Sequence, residues 1–246
     1  MSISGKLDGR SILVVGATGS LGAAVVDRLF DEGALLTLSG RDPDKLKLVS
    51  REESAAAIAA DLSSETGRNQ LIGSMPLLDG VVFATGIAPL APVRYLKDTN
   101  LNDCLHINAA VPLLVIRDLL KSKKLNKTAS IVFLSSVAAR SGTAGYAAYA
   151  GSKAALEAAA RCLAVELSPK AIRVNCIAPG MVESDMADAF AENTSEEAWA
   201  SHLQAYPLGA GKPCDVASAV AFFLSSDSRW ITGVTLPVDG GFSLSY

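Results

Sequence analysis

Short, almost uninterrupted apolar runs alternate with longer stretches of mixed polarity along the 246 residues. SILVVG (11–16), ALLTLS (34–39), AAAIAA (55–60), GVVFAT (80–85), SIVFLSS (130–136), IRVNCIA (172–178) and VTLPV (234–238) have the length of strands, and most are apolar throughout rather than at every second position. Strands buried on both faces, as in a parallel sheet covered by helices, have this pattern. AAAIAA fits least well, because alanine favours a helix. Between the runs, apolar positions recurring at helical spacing predict helices near 20–32, 43–52, 64–74, 99–122, 146–168 and 213–225. Gly33 stands where a left-handed cap would close the first of them. The alternation continues over the whole length with no Pro/Gly/Ser-rich linker and no internal repeat. It predicts one α/β domain over residues 1–246, a doubly wound parallel seven-stranded sheet with helices on both faces.

Composition narrows the classes of function. Half of the residues are hydrophobic and 19% are charged, enough apolar surface for a large core. A formal charge of −3 without a basic stripe argues against a nucleic-acid partner. The run KSKKLNK, from Lys121 to Lys127, reads as a solvated helix end with cations near its C-terminus. Cys104, Cys162, Cys176 and Cys214 occur singly, with no metal-ligand spacing, which fits a reduced intracellular setting better than a disulfide framework. The segment MSISGKLDGR has no apolar signal core, and no run approaches the roughly 18–20 apolar residues of a membrane span. A cytoplasmic protein with no membrane partner is expected.

The first run leads straight into VVGATGSLGAAVVDRLF, so Gly16, Gly19 and Gly22 follow a strand and open a helix. In that context, glycines let the backbone approach a pyrophosphate held at the positive helix N-terminus, the arrangement of a Rossmann dinucleotide site. A tight strand–helix turn without a ligand is the alternative. The second run ends in LSGRD, where many NAD-binding Rossmann proteins carry an acid for the ribose hydroxyls. Arg41 there suits a 2′-phosphate, which favours NADP(H) over NAD(H). Asp42 is a second candidate for the ribose, or the N-cap of a helix beginning at Pro43. Asp61, ending the third run, would accept from an adenine amino group or cap a turn.

The candidate chemistry lies in SSVAARSGTAGYAAYAGSK. Tyr149 and Lys153 are four residues apart and share one face of a helix. A fixed ammonium beside a phenol lowers its pKa from about 10 toward working pH. The hydroxyl of Ser136, thirteen residues upstream, would hold a carbonyl oxygen against that phenol. The trio reads as a proton-transfer site for a carbonyl/alcohol pair. A half-buried Tyr beside an exposed Lys is the bland alternative for the pair alone.

From LDGRSILVVGATG at residue 7 to the VDGG ending at Gly241, the chain resembles a short-chain dehydrogenase/reductase of the compact, ketoreductase-like (3-oxoacyl-carrier-protein reductase-like) kind. Ser136, Tyr149 and Lys153 match the family's active-site spacing, and Asn108 in LHINAAVP matches its fourth catalytic residue. IRVNCIAPGMVES (172–184) matches the strand and Pro-Gly turn that pass beside the nicotinamide. The resemblance implies that Tyr149 is the general acid in ketone reduction and the base in alcohol oxidation. It gives Lys153 the nicotinamide ribose and the lowering of the tyrosine pKa, and gives Ser136 the substrate oxygen. The main-chain carbonyl of Asn108 would hold a water leading protons to the lysine. Pro112, four residues on, has no N–H to occupy that carbonyl, unless it merely marks a helix start. Implied cofactor contacts are Gly16, Thr18, Gly19, Ser20, Leu21, Gly22, Arg41, Asp61, Leu62, Ala84, Gly86, Pro179, Gly180, Val182 and Ser184, besides Tyr149 and Lys153.

Three features depart from the compact members. The glycines are spaced GxxGxxG, more like the extended members that act on sugar nucleotides, although those have an added substrate region. Phe83-Ala84-Thr85-Gly86 replaces the usual Asn-Asn-Ala-Gly, removing an amide that braces the sheet centre. Only about twenty residues separate Asp61 from that segment, which predicts a shortened helix. Segments 87–95, 137–148 and 181–206 are expected to wall a substrate pocket, the last as an amphipathic lid, and the first two favour an uncharged carbonyl or alcohol. Arg94 and Arg140 are anion contacts or surface residues; His202 either reaches the pocket or, as expected here, is a surface histidine. Lys127 and Lys170 stand where related ketoreductases carry cations for an acidic carrier protein. Helix 146–168, apolar at nearly every turn, predicts pairing between subunits in a homotetramer or dimer. A non-catalytic dinucleotide sensor and an epimerase or dehydratase are the rival readings.

Overall fold

Parallel strands cannot be joined by tight turns, so each needs a crossover, usually helical. The computed structural model, which describes residues 5–50 and 55–244, is built on that rule. Strands β1 (Ser11–Val15), β2 (Leu35–Gly40), β3 (Ala55–Ala59), β4 (Leu78–Phe83), β5 (Leu125–Leu134), β6 (Arg173–Pro179) and β7 (Thr235–Val238) pair in the order 3-2-1-4-5-6-7. Every neighbouring pair is parallel. The helices are α1 (Ser20–Asp31), α2 (Pro43–Val49), α3 (Glu65–Gly73), α4 (Asp98–Leu105), α5 (Val111–Lys121), α6 (Ala147–Leu167), α7 (Asp185–Glu192), α8 (Glu196–Gln204) and α9 (Pro213–Leu224).

Two apolar layers explain why the strand runs are continuous. Ile12, Val14, Val82 and Val132 pack under α1 and α9 through Val25, Leu29, Val216 and Val220. Their neighbours Leu13, Val81, Phe83, Ile131 and Phe133 point the other way, against Val115, Ile116, Leu119, Leu156 and Ala160 of α5 and α6. β1 sits between β2 and β4, so the winding reverses there and leaves a crevice at the carboxyl ends of β1 and β4.

The alanine-rich run is a strand, paired with β2 from Leu36↔Ala55 to Gly40↔Ala59. It is the sheet edge and only partly buried, which is why small residues suffice; the ladder outweighs a helix propensity of tenths of a kcal/mol per residue. Gly33 has φ +84°, as a helix cap requires. Residues 51–52, where the second predicted helix was to end, lie outside the described residues. α3 is short, nine residues. The helix predicted over 99–122 is interrupted: His106–Ala110 forms a π turn between α4 and α5, in which the Val111 N–H donates to the His106 carbonyl. Pro112, without an N–H, stands just inside α5. Among the described residues no helix is long and apolar enough to cross a membrane, no acidic, His and Cys cluster could hold a metal ion, and all four cysteines are unpaired.

Candidate active site

The buried face of α6 carries Tyr149, Ser152, Lys153 and Glu157 at successive helical spacings. Lys153 is 3% exposed and its Nζ donates to the carbonyl of Leu134, the last residue of β5, at 2.8 Å. That ammonium lies 5.8 Å from the centre of the Tyr149 ring. Ser136, two residues past β5, accepts from the Ala138 N–H at 3.2 Å, and its hydroxyl is near enough to the Tyr149 phenol to lower the phenol's pKa. Ser135 beside it donates to Glu157 at 2.8 Å, and Arg140 donates to the other oxygen of that buried carboxylate at 3.2 Å. The Ser136 turn is thus tied to α6 through Glu157. Arg140, read from sequence as an anion contact or surface residue, is the outer member of this tie.

The electrostatics differ from the expectation that Lys153 lowers the Tyr149 pKa. Burial raises the phenol's pKa, and the nearby Ser136 hydroxyl opposes it only in part. Burial also pushes the Lys153 ammonium down to about 8. Both groups are almost out of water, so desolvation disfavours each charged form more than the pair's attraction restores it. The phenol is therefore held protonated at neutral pH in the protein alone.

Asn108 is fully buried. Its Oδ1 accepts from the Ile87 N–H, and its Nδ2 donates to the Ile87 carbonyl and to Ser152, each at 2.9 Å. Ser152 in turn donates to the Tyr149 carbonyl at 2.7 Å. The amide missing from Phe83-Ala84-Thr85-Gly86 is therefore replaced in part by Asn108, which clamps the chain after Gly86 to α6. A side chain at Gly86 would crowd the site, since a Cβ would sit 3.1 Å from the Lys153 Nζ.

In the glycine loop, Gly16 has φ +82°, and a Cβ on Gly22 would lie 2.0 Å from the Gly16 carbonyl oxygen. Packing alone demands these two. Gly19 is different: it is the N-cap of α1, offers no side-chain cap, and a Cβ there would have space. No acidic residue occupies the first turn of α1. Thr85, at the end of β4, has a buried Oγ1 with no hydrogen-bond partner among the described residues. A free helix N-terminus, an open glycine and an orphaned hydroxyl on one crevice fit a bound dinucleotide.

Most predicted site residues meet there. Gly19, Ser20, Leu21, Ala84, Gly86, Ser136, Tyr149, Lys153, Pro179, Gly180, Val182 and Ser184 line one cleft of about 370 Å³. Gly16, Thr18, Gly22 and Asn108 support it from behind rather than lining it. Leu62, just past β3, is buried. Arg41, at the end of β2, is exposed and close enough to Asp61 to lower its pKa, after the stronger effect of hydrogen bonds from Ser63. Asp61 caps its own turn through Ser63 at 2.7 Å, and Asp42 caps α2 by accepting from the Asp44 and Lys45 N–H groups.

Two expectations need correction. Segment 87–95 does not line the cleft; the Ala91 N–H donates to the Gly145 carbonyl, and Ile87 and Ala88 pack behind Tyr149 and Ala148. Arg94, in the same segment, is a surface residue as expected and stacks on Tyr95, 4.6 Å from its ring centre. His202 is not a surface residue: it lines the cleft among Phe190, Trp199, Tyr206 and Phe242, and burial holds its pKa below the ordinary value. Sequence reasoning also missed Thr85 and Phe242 as lining residues. Phe242 carried no local signal, because only the return of the chain after β7 brings it against Tyr206, 4.6 Å between ring centres.

The sequence profile described as Enoyl-(Acyl carrier protein) reductase matches residues 16–243. The 3-oxoacyl-[acyl-carrier-protein] reductase of Rickettsia felis is 33% identical over 238 residues, covering 96% of this chain and 97% of the relative. Among solved structures, levodione reductase superposes with a TM-score of 0.89 at 25% identity, covering 98% of this chain and 100% of that one. An actinorhodin polyketide ketoreductase solved with NADPH gives 0.88 at 26% identity, covering 95% and 97%.

Proposed function

Since this chain belongs to the short-chain dehydrogenase/reductase family, an oxidoreductase family that uses a nicotinamide dinucleotide, we propose that it is an NADP(H)-dependent enzyme interconverting a ketone and a secondary alcohol. The observation that carries this reading is the junction of the Ser136 and Tyr149 hydroxyls with Lys153 on the wall of the cleft that the glycine loop also lines.

Gly19, Ser20 and Leu21 at the start of α1 would hold the pyrophosphate, Arg41 a 2′-phosphate, and Lys153 the ribose beside the nicotinamide. When bound, the cofactor supplies the hydride that reduces the carbonyl carbon. The Ser136 hydroxyl donates to the carbonyl oxygen and so stabilises the charge that grows there. Tyr149, neutral because it is buried, gives that oxygen its proton. Lys153 then stands nearest to restore the phenol's proton, and the carbonyl of Asn108, beside the π turn, faces no N–H from Pro112. Asp42 and Asp61 are occupied as caps, which leaves Arg41 as the charged group at the end of β2 and supports NADP(H) over NAD(H).

NADPH consumption over a panel of ketones tests this reading. Tyr149→Phe is expected to lower turnover by about 10²–10⁴-fold, the usual worth of a positioned proton donor. Arg41→Ala is expected to weaken NADPH binding roughly ten-fold and leave NADH nearly unchanged. Full turnover in Tyr149→Phe overturns the mechanism, and tight NADPH binding without turnover on any ketone makes the protein a dinucleotide sensor. The Rickettsia relative's name favours a second reading, a carrier-linked 3-oxoacyl substrate. Lys127 lies early in β5 and Lys170 directly after α6, so in one chain both are at the end of the sheet away from the cleft.

A further inference from the structure

Besides His202, two residues with acidic or basic side chains line the cleft, Lys153 and Asp185, and each has a hydrogen-bond partner. Lys153 donates to Leu134, and Asp185 accepts from Ser20 of the glycine loop at 3.2 Å. The rest of the wall beyond Tyr149 is a chain of rings. Tyr146 lies edge-on to Tyr149, 6.0 Å between centres, and Phe190 is 5.9 Å from Tyr146. His202 follows at 5.4 Å from Phe190, and Tyr206 at 5.4 Å from His202. Val137, Ala138, Met181 and Met186 add apolar surface, and Ser141 and Thr143 add two uncharged hydroxyl-bearing side chains. The lid segment 181–206 carries Glu183, Asp185, Asp188, Glu192, Glu196 and Glu197 and neither Lys nor Arg. Arg140 is bound to Glu157 and Arg94 to the Tyr95 ring, so neither supplies a cation to the cleft.

A ring wall favours flat apolar bodies, which stack or meet edge to face on it. A lid rich in carboxylates and without cations slows the approach of anions and offers them no pairing group of its own. We propose that the cleft selects an uncharged ketone with a flat, apolar body laid on the Tyr146–Phe190–His202 wall, and disfavours ketones that carry a carboxylate, a phosphate or an acidic carrier. The proposal rests on the ketone-reductase reading above and names its substrate class.

Four ketones separate the alternatives with the full-length chain and NADPH: phenylacetone, 2-octanone, phenylpyruvate and acetoacetyl-coenzyme A. Phenylacetone is expected to lead in kcat/KM by about ten-fold or more over each of the others. Phe190→Ala should remove most of its lead over 2-octanone, and Phe190→Leu should remove part of it. Replacing both exposed Glu196 and Glu197 by Lys should narrow the gap between phenylpyruvate and phenylacetone without touching the wall. Binding is read separately. Trp199 lies 6.3 Å from His202 and 5.9 Å from Phe190, whereas the chain's other tryptophan, Trp230, is 90% exposed. In Trp230→Phe, phenylacetone should change the Trp199 emission at lower concentration than phenylpyruvate does. Equal or better use of phenylpyruvate or acetoacetyl-coenzyme A, or equal losses for both neutral ketones in Phe190→Ala, overturns the proposal. If no ketone is reduced, the ketone-reductase reading fails, and the Trp199 titration still decides whether the cleft prefers the neutral ring.

Discussion

At the scale of single residues, burial sets the chemistry as much as charge does. Tyr149 keeps its proton because its surroundings exclude water, so the phenol is ready to donate and reluctant to accept. Ketone reduction is therefore expected to hold its rate across neutral pH and fall only at alkaline pH, whereas alcohol oxidation should rise as pH increases. Paired pH–rate profiles check this, and oxidation already at its plateau at pH 7 would contradict it. Lys153 has the opposite linkage. Its pKa falls from 10.5 to about 8 on folding, so the folded state binds fewer protons than the unfolded one between those values. The ammonium costs stability in full below pH 8, by about 3 kcal/mol at most, and the cost fades as pH rises toward 10.5. Relative to Lys153→Met, the cofactor-free protein should gain stability across that window, measured as the difference in denaturation midpoints; a flat difference would mean that water reaches Nζ. The spacing of Tyr149 and Lys153 was legible in the sequence because helix geometry fixes it, whereas Ser136 comes from the turn after β5. The direction of the Tyr149 shift was not legible, because desolvation depends on what packs around the ring.

At the scale of elements, the interruption in the α4–α5 rod joins the site to the sheet. Asn108 lies in the π turn, clamps Ile87 with its amide, and is followed four residues on by a proline without an N–H. Pro112→Ala supplies a donor to the Asn108 carbonyl and should favour a regular helix through 106–110. Turnover is expected to fall about ten-fold, with a changed pH–rate profile, while NADPH affinity stays within about two-fold. Equal profiles for the two proteins would leave Pro112 a packing residue. The sequence identified the proline and its relation to Asn108, but it predicted one unbroken helix. The apolar periodicity runs through the turn, and only the hydrogen-bond pattern breaks. The lid was legible as an amphipathic segment, whereas its ring-to-ring contacts needed α7, α8 and the chain after β7 in place.

At the scale of the whole molecule, the outer face of α6 is unusual for a surface. Gly151, Ala154, Ala155, Ala158, Cys162 and Val165 are exposed along it, and Val165 is 76% exposed. Small and apolar side chains in a row allow a second helix to approach closely, which supports the proposed dimer or tetramer. Ala158→Arg should lower the mass measured by light scattering and leave the monomer folded; a monomeric mass for the unchanged chain would end the proposal. The sequence by itself determined the doubly wound sheet, since continuous apolar strands and amphipathic helices have few other ways to bury their faces. It also determined the loop Gly16–Gly22 and the Tyr149–Lys153 pair, whose spacings are local and enforced by sterics and helical repeat. Only the tertiary structure decided that segment 87–95 turns away from the cleft, that His202 and Phe242 turn toward it, and that Arg140 serves Glu157. These outcomes depend on contacts between residues far apart in the chain, and on a competition between burial and pairing that no local pattern records.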